Sequence, residues 1–209
     1  MRALSVDPVD DTRDTFRALV DAMSRPGTVE RTPVAPAHHA VAATLVDHEV
    51  TMHGGDDRLR TALDWESRHS EAAFEEADIV FVDGDTSGCV VDAKRGSLKE
   101  PSDGATVVYR VDALVAPDET AVSDDPADGL DTRDAQTDGN DAPELVLSLS
   151  GPGVPGSRRV GVRGLPEDEV EAIAEAQSAY PRGVDVYLTT DDRLVALPRS
   201  VDVAVEEVA

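Results

Sequence analysis

Lysine is almost missing from this chain. Lys94 and Lys99 are the only two, and 19 basic residues face 43 acidic ones for a formal net charge of −24. That shortage excludes a basic stripe able to displace counterions from phosphates, so nucleic acid is not an expected partner. It also excludes attraction to an anionic membrane surface. Cysteine is reduced to Cys89, which rules out an intramolecular disulfide and any multi-cysteine metal site. Lying in the apolar run Cys89-Val90-Val91, its thiol reads as buried and inert. No apolar run approaches ~18 residues, so no membrane span is predicted. MRALSVDPVDD lacks the hydrophobic region of a signal peptide, and a soluble, cytoplasmic protein is the expectation. Aromatics are 3% of the chain, so its 40% hydrophobic content must build a core from valine, leucine, alanine and isoleucine.

What the chain has in abundance is carboxylate. An acidic, lysine-poor surface suits a cytoplasm crowded with salt, where screening suppresses self-repulsion and hydrated carboxylates keep a protein soluble. A halophilic protein is therefore expected, and the acidity says little about its ligand.

Helices and strands alternate along the sequence. In DTFRALVDAMSRPGTVERTP, Phe16, Leu19, Val20 and Met23 form one apolar stripe at helical spacing, predicted to face a core. Pro26 and Gly27 stop this helix abruptly. Further helices are expected at 37–47, at 56–69 with Leu59, Leu63 and Trp65 apolar, and after Pro166, with a helical turn at 71–76. Strands are expected at 49–53, 79–82, 105–111 and 144–150. A strand, a turn at Asp191-Asp192, a strand, a bend at Pro198 and a last strand should follow. This order predicts an α/β fold with a mixed sheet flanked by helices in three layers. Residues 1–209 read as a single domain carrying a flexible acidic insertion at about 117–143, because that stretch has too little apolar surface to offset its ordering entropy.

No single motif names a reaction. Ser24 has no histidine base in its own stretch, so Ser24-Arg25-Pro26-Gly27 reads as an architectural stop rather than a nucleophile. His38, His39, His48, His53 and His69 crowd one window but follow no ligand spacing, and adjacent His38 and His39 should point about 100° apart on a helix. The glycine loop Gly151–Gly156 matches neither phosphate-binding fingerprint, and its two prolines remove backbone donors, so a rigid turn is expected. Lys94 and Lys99 lie in polar, glycine-flanked sequence that predicts exposure, not a Schiff base.

Taken in order, the blocks FRALVDAMSRPG, GSLKEPSDGAT, LSLSGPGV and YPRGVDVYLTTDDRLVALPRSVDVAV resemble the PhnH family of the bacterial carbon–phosphorus lyase machinery. The resemblance runs from about Asp10 to Val205 and departs from the family at the acidic insertion. It implies a fold related to pyridoxal-phosphate-dependent transferases but without the cofactor site. It also implies a homodimer that joins the other core subunits of a complex acting on ATP and an alkylphosphonate such as methylphosphonate. That complex transfers the alkylphosphonate onto the ribose of ATP and releases adenine, so the function implied is that of a subunit of alpha-D-ribose 1-methylphosphonate 5-triphosphate synthase. The resemblance transfers no catalytic residue, and no catalytic, cofactor-binding or metal residue is assigned. Arg25 and Arg199 remain open to a phosphate or a partner's carboxylate. Two other readings stay open: a stand-alone enzyme on a nucleotide or phosphonate, and a metal-binding protein using the His38–His69 window.

Overall fold

Short apolar runs bounded by turn residues become the strands of two sheets in a computed structural model that describes residues 4–116 and 144–206. In chain order the elements are α1 (Asp10–Ser24), β1 (Glu30–Arg31), α2 (Ala37–Leu45), β2 (Met52–Gly54), α3 (Asp57–Trp65), β3 (Ile79–Asp83), β4 (Thr106–Arg110) and β5 (Ala113–Val115). Then come β6 (Leu145–Ser150), β7 (Ser157–Arg163), α4 (Glu167–Gln177), β8 (Asp185–Thr189), β9 (Arg193–Leu197) and β10 (Asp202–Glu206). The first sheet has the order β1-β9-β8-β4-β3-β2, and the second has the order β10-β6-β7-β5. Strands β2, β3, β4 and β8 run parallel, while β9 and β1 join antiparallel. The second sheet is antiparallel throughout. The chain is thus α/β with mixed strand pairing, as its element order predicts. The acidic stretch 117–143 lies outside the described residues.

Both faces of the first sheet are buried, which explains why its central strands read as continuous apolar runs. Ile79, Phe81, Val108, Tyr187, Leu194 and Ala196 point to one side, where they pack with Leu19, Met52, Leu59 and Leu63 from α1, β2 and α3. The alternate residues Val80, Val107, Tyr109, Val186, Leu188 and Leu197 point to the other side. There the cover is Val170 and Ile173 of α4 together with Leu147, Leu149, Val160 and Val162 of the second sheet. One face therefore carries helices, and the other carries a second sheet beside a single helix, where helices alone were expected.

Local readings are corrected in four places. The buried stripe of α1 is Thr15, Ala18, Leu19 and Ala22, leaving Phe16 at 54% and Val20 at 47% exposure. Small residues face the alanine-rich α2, whose Ala40 and Ala43 are also buried, so that close packing of two helices selects the small face over the bulky one. Trp65 ends α3 at 86% exposure instead of joining the core. Cys89 is exposed, because a short 3₁₀ turn at Cys89–Asp92 buries Val90 and turns the thiol outward. Lys94 is half-buried and ion-paired with Asp78 at 2.6 Å, not free in solvent.

The quoted sequence blocks hold one another together. Gly27 takes φ +78°, and a Cβ there would come within 2.9 Å of Leu149 Cδ1 and 3.0 Å of Arg158 Cδ. Arg158 in turn donates Nη1 to the Pro26 carbonyl at 2.9 Å and to Thr28 Oγ1 at 2.8 Å. The abrupt stop after α1 is thus a platform on which the β6–β7 hairpin rests. Residues 151–156 form the loop of that hairpin, since Ser150 pairs with Ser157. Arg199 donates to Asp185 and, at 2.6 Å, to the Pro101 carbonyl, fastening the 101–104 segment to the bend after β9.

Candidate functional site

Parallel strands end together at one edge of their sheet, and the side chains gathered there are the natural place for a ligand. Here Gly54, Phe81–Asp83 and Val108–Arg110 form that edge at the carboxyl ends of β2, β3 and β4. His38, Gly55, Asp56, Phe81, Val82, Asp83, Val108 and Arg110 line a cleft of about 260 Å³ at this edge. Gly54 makes the close approach possible: with φ +79° it lies so near the Phe81 carbonyl that a Cβ would fall 2.2 Å from that oxygen.

Three side chains converge beside the cleft. His38 and His39 belong to the first turn of α2, whose start is tied to the far end of β8 by the Ala37 N–H bond to the Thr190 carbonyl. Asp56 is the N-cap of α3, and its Oδ1 accepts the Leu59 N–H at 2.7 Å. Its Oδ2 accepts from His38 Nε2 at 2.9 Å and from His39 Nε2 at 2.7 Å. The two imidazoles are 6% and 3% exposed and meet edge to face, with ring centroids 4.4 Å apart. Burial favours the neutral His38 imidazole and pushes its pKa down, against the opposing pull of the Asp56 bond. Burial pushes Asp56 up, but the bonds from His38, the Leu59 N–H and His39 outweigh it and hold the carboxylate well below its usual range. Both rings leave Nδ1 buried without a partner, so their polar capacity is directed at a single oxygen.

Sequence spacing alone could not show this convergence. Adjacent residues do leave a helix in different directions, yet both long rings at the start of α2 reach one acceptor 17 and 18 residues further along the chain. The detectable signal was an N-cap aspartate preceded by Gly54-Gly55 and following two histidines. Of the other histidines, His48 is exposed. His69 bonds Asp64 at 2.7 Å and Glu71 at 2.9 Å, and His53 Nδ1 donates to the Ala72 carbonyl at 3.0 Å. Ser24 donates to the carbonyl of Asp21 within its own helix. Arg25 pairs with Glu30 at 3.1 Å and Asp21 at 3.5 Å, and Arg199 is engaged by Asp185 and backbone carbonyls. These contacts give both arginines intramolecular roles. Arg110 remains at the cleft, half exposed and only 3.7 Å from Asp83.

A buried acid lies outside this cluster and has donors on both its oxygens. Glu169, 1% exposed on α4, accepts from Thr86 Oγ1 and Tyr109 Oη at 2.6 Å and from the Gly88 N–H at 2.9 Å. Burial first, and Glu169 second, push the Tyr109 phenol far above its ordinary pKa. The network pins α4 against β4 and the loop after β3.

Comparison with known proteins gives a consistent result. A family model described as bacterial phosphonate metabolism protein (PhnH) matches residues 5–204. The chain is similar to a protein of Rhizobium meliloti (strain 1021) named alpha-D-ribose 1-methylphosphonate 5-triphosphate synthase subunit PhnH, with 25% identity over 93% of this chain and 90% of the relative. It is also similar to a protein of Stutzerimonas stutzeri named as a putative C-P lyase subunit protein, HtxG, with 26% identity over 90% of this chain and 83% of that protein.

Proposed function

Because the chain belongs to the PhnH family of bacterial phosphonate metabolism proteins, we propose that it is a subunit of a carbon–phosphorus lyase complex. Its task there is to support transfer of an alkylphosphonate onto the ribose of ATP with release of adenine. The observation that carries this reading is the match along nearly the whole chain, with 93% of it aligned to a synthase subunit. The other core subunits of that complex are its partners, and it acts as a homodimer within the cytoplasm of a salt-loving cell. The insertion at 117–143 belongs to one continuous domain, 1–209.

The relation to pyridoxal-phosphate-dependent transferases is part of the same reading. Supporting the loss of the cofactor site, neither lysine lines the cleft: Lys94 is ion-paired with Asp78, and Lys99 is exposed in the 96–100 loop. An amine held in an ion pair is a poor carbonyl nucleophile. No helix among the described residues is long and apolar enough to cross a membrane.

The test is adenine release from ATP and methylphosphonate in molar KCl, with the complex assembled with and without this subunit. Release should require both the subunit and its partners. Release by this chain alone, or undiminished release when it is omitted, would overturn the reading.

A further inference from the structure

Two buried imidazoles that direct all their polar capacity at one carboxylate oxygen are an uncommon way to build a core. Nε2 of each ring is spent on that oxygen, and Nδ1 of each has no hydrogen-bond partner in the interior. The same three residues have the chemistry of a metal site. His38, His39 and Asp56 each offer one ligand atom within 4.8 Å of the others, and Nε2 of both rings already faces Asp56 Oδ2. Two nitrogens and one oxygen suit a zinc-class ion better than magnesium or calcium, which prefer all-oxygen shells. The Asp56 side chain is 41% exposed, which gives an ion from solvent a way to the cluster. The backbone is held on both sides: α2 begins at the Thr190 anchor, and the α3 cap fixes the main chain of residue 56.

The balance of charge at the cleft gives the ion a purpose. With Asp56 and Asp83 against the single cation Arg110, the lining carries a net negative charge and repels an anion. A divalent ion at the histidine pair reverses that sign. Three protein ligands also leave one tetrahedral position open.

We propose that His38, His39 and Asp56 bind a zinc-class divalent cation whose open position, facing the cleft beside Arg110, takes the oxygen of a phosphonate-class anion. The cation site stands on this geometry alone, while the class of anion rests on the phosphonate reading above. The ion acts as an electrostatic anchor: its charge offsets the carboxylates, and the Arg110 guanidinium supplies a second contact suited to a tetrahedral oxyanion.

Cobalt(II) is the probe, because a tetrahedral mixed nitrogen–oxygen site gives it intense visible absorption. The purified full chain is titrated in molar KCl with magnesium in large excess, which occupies the weak carboxylate sites of so acidic a surface. A single equivalent should develop the tetrahedral bands, and zinc should displace it. Asp56→Ser keeps a side-chain acceptor for the α3 cap but removes the carboxylate, and should abolish the bands while the protein stays folded by circular dichroism. His39→Gln should do the same. The site is overturned if the wild-type chain shows no such bands, or if folded Asp56→Ser keeps them. Methylphosphonate and inorganic phosphate are then added in separate arms. Methylphosphonate should shift the bands, and Arg110→Gln should weaken that response without changing cobalt binding. A response to phosphate alone, or to neither, overturns the phosphonate assignment and leaves the adenine assay untouched as the separate test of the subunit role.

Discussion

His69 shows how a single side chain can tie stability to pH. It lies between Asp64 and Glu71 at 2.7 and 2.9 Å. Burial alone would lower its pKa, but the bonds to Asp64 and then Glu71 more than offset that and raise it above the ordinary histidine value. A raised folded-state pKa means that the folded chain holds the proton more tightly than the unfolded chain. The stabilisation is therefore fully present below the unfolded value and fades as pH rises through the higher folded one. His69→Gln should lower the thermal midpoint near pH ~5.5 and have little effect near pH ~8.5, the window set by that upward shift. An equal loss at both pH values would show that His69 acts through packing rather than charge. Glu169 is different in kind, since its three donors are neutral groups. Removing any one would leave a buried carboxylate less satisfied, at a cost of about 1–3 kcal/mol.

At the scale of elements, α1 carries two stripes and buries only one. Thr15, Ala18, Leu19 and Ala22 meet the core, while Val9, Phe16 and Val20 line up along the exposed flank. Soluble proteins seldom leave an apolar row bare, and for the homodimer proposed above this flank is the expected face of a second copy. Phe16→Glu with Val20→Glu should shift the sedimenting species from dimer to monomer. The unfolding midpoint of the monomer itself should barely move, because neither side chain is in the core. A sedimentation coefficient that does not change would place the interface elsewhere. The same helix shows where sequence reading succeeds and stops. Its existence, its end at Pro26-Gly27 and the strands β3, β4, β8, β9 and β10 follow from period, turn residues and apolar runs. Which stripe faces inward depends on α2, and no local pattern carries that information. Strands β5 and β7 escaped for a related reason: Ser157–Arg163 opens with arginines, and only Val160 and Val162 between Gly156 and Gly164 betray a strand. The cleft was least legible. Its histidines and Asp56 are distant in sequence and meet only because β2, β3 and β4 end at one edge, whereas the docking of Gly27 against Leu149 and Arg158 explains afterwards why those blocks occur together.

The whole molecule carries its charge on the outside, and this governs its response to salt. The interior accepts almost none of it: among the described residues, Glu169 is the one buried carboxylate, and its bonds to neutral donors leave the acidic excess at the surface. Surface ion pairs such as Arg13–Asp10 and Arg17–Asp14 contribute little and are weakened by salt. If those pairs dominated, salt would destabilise the fold. With 43 acids against 19 basic residues, however, most carboxylates have no cation to pair with, and at a net charge of −24 repulsion outweighs the pairs. The Debye length falls from about 30 Å at 0.01 M to about 3 Å at 1 M salt, from roughly the span of a domain to less than one residue. Repulsion summed over the whole surface is therefore screened almost completely in molar salt, while contacts closer than about 3 Å are screened least. The thermal unfolding midpoint should rise steeply between dilute buffer and molar KCl. Potassium chloride and tetramethylammonium chloride should produce much the same rise at equal ionic strength, since screening depends on charge and concentration rather than on the cation's identity. A midpoint that stays constant with salt would end the halophilic reading. A rise with potassium alone would replace general screening with specific cation binding at the carboxylates.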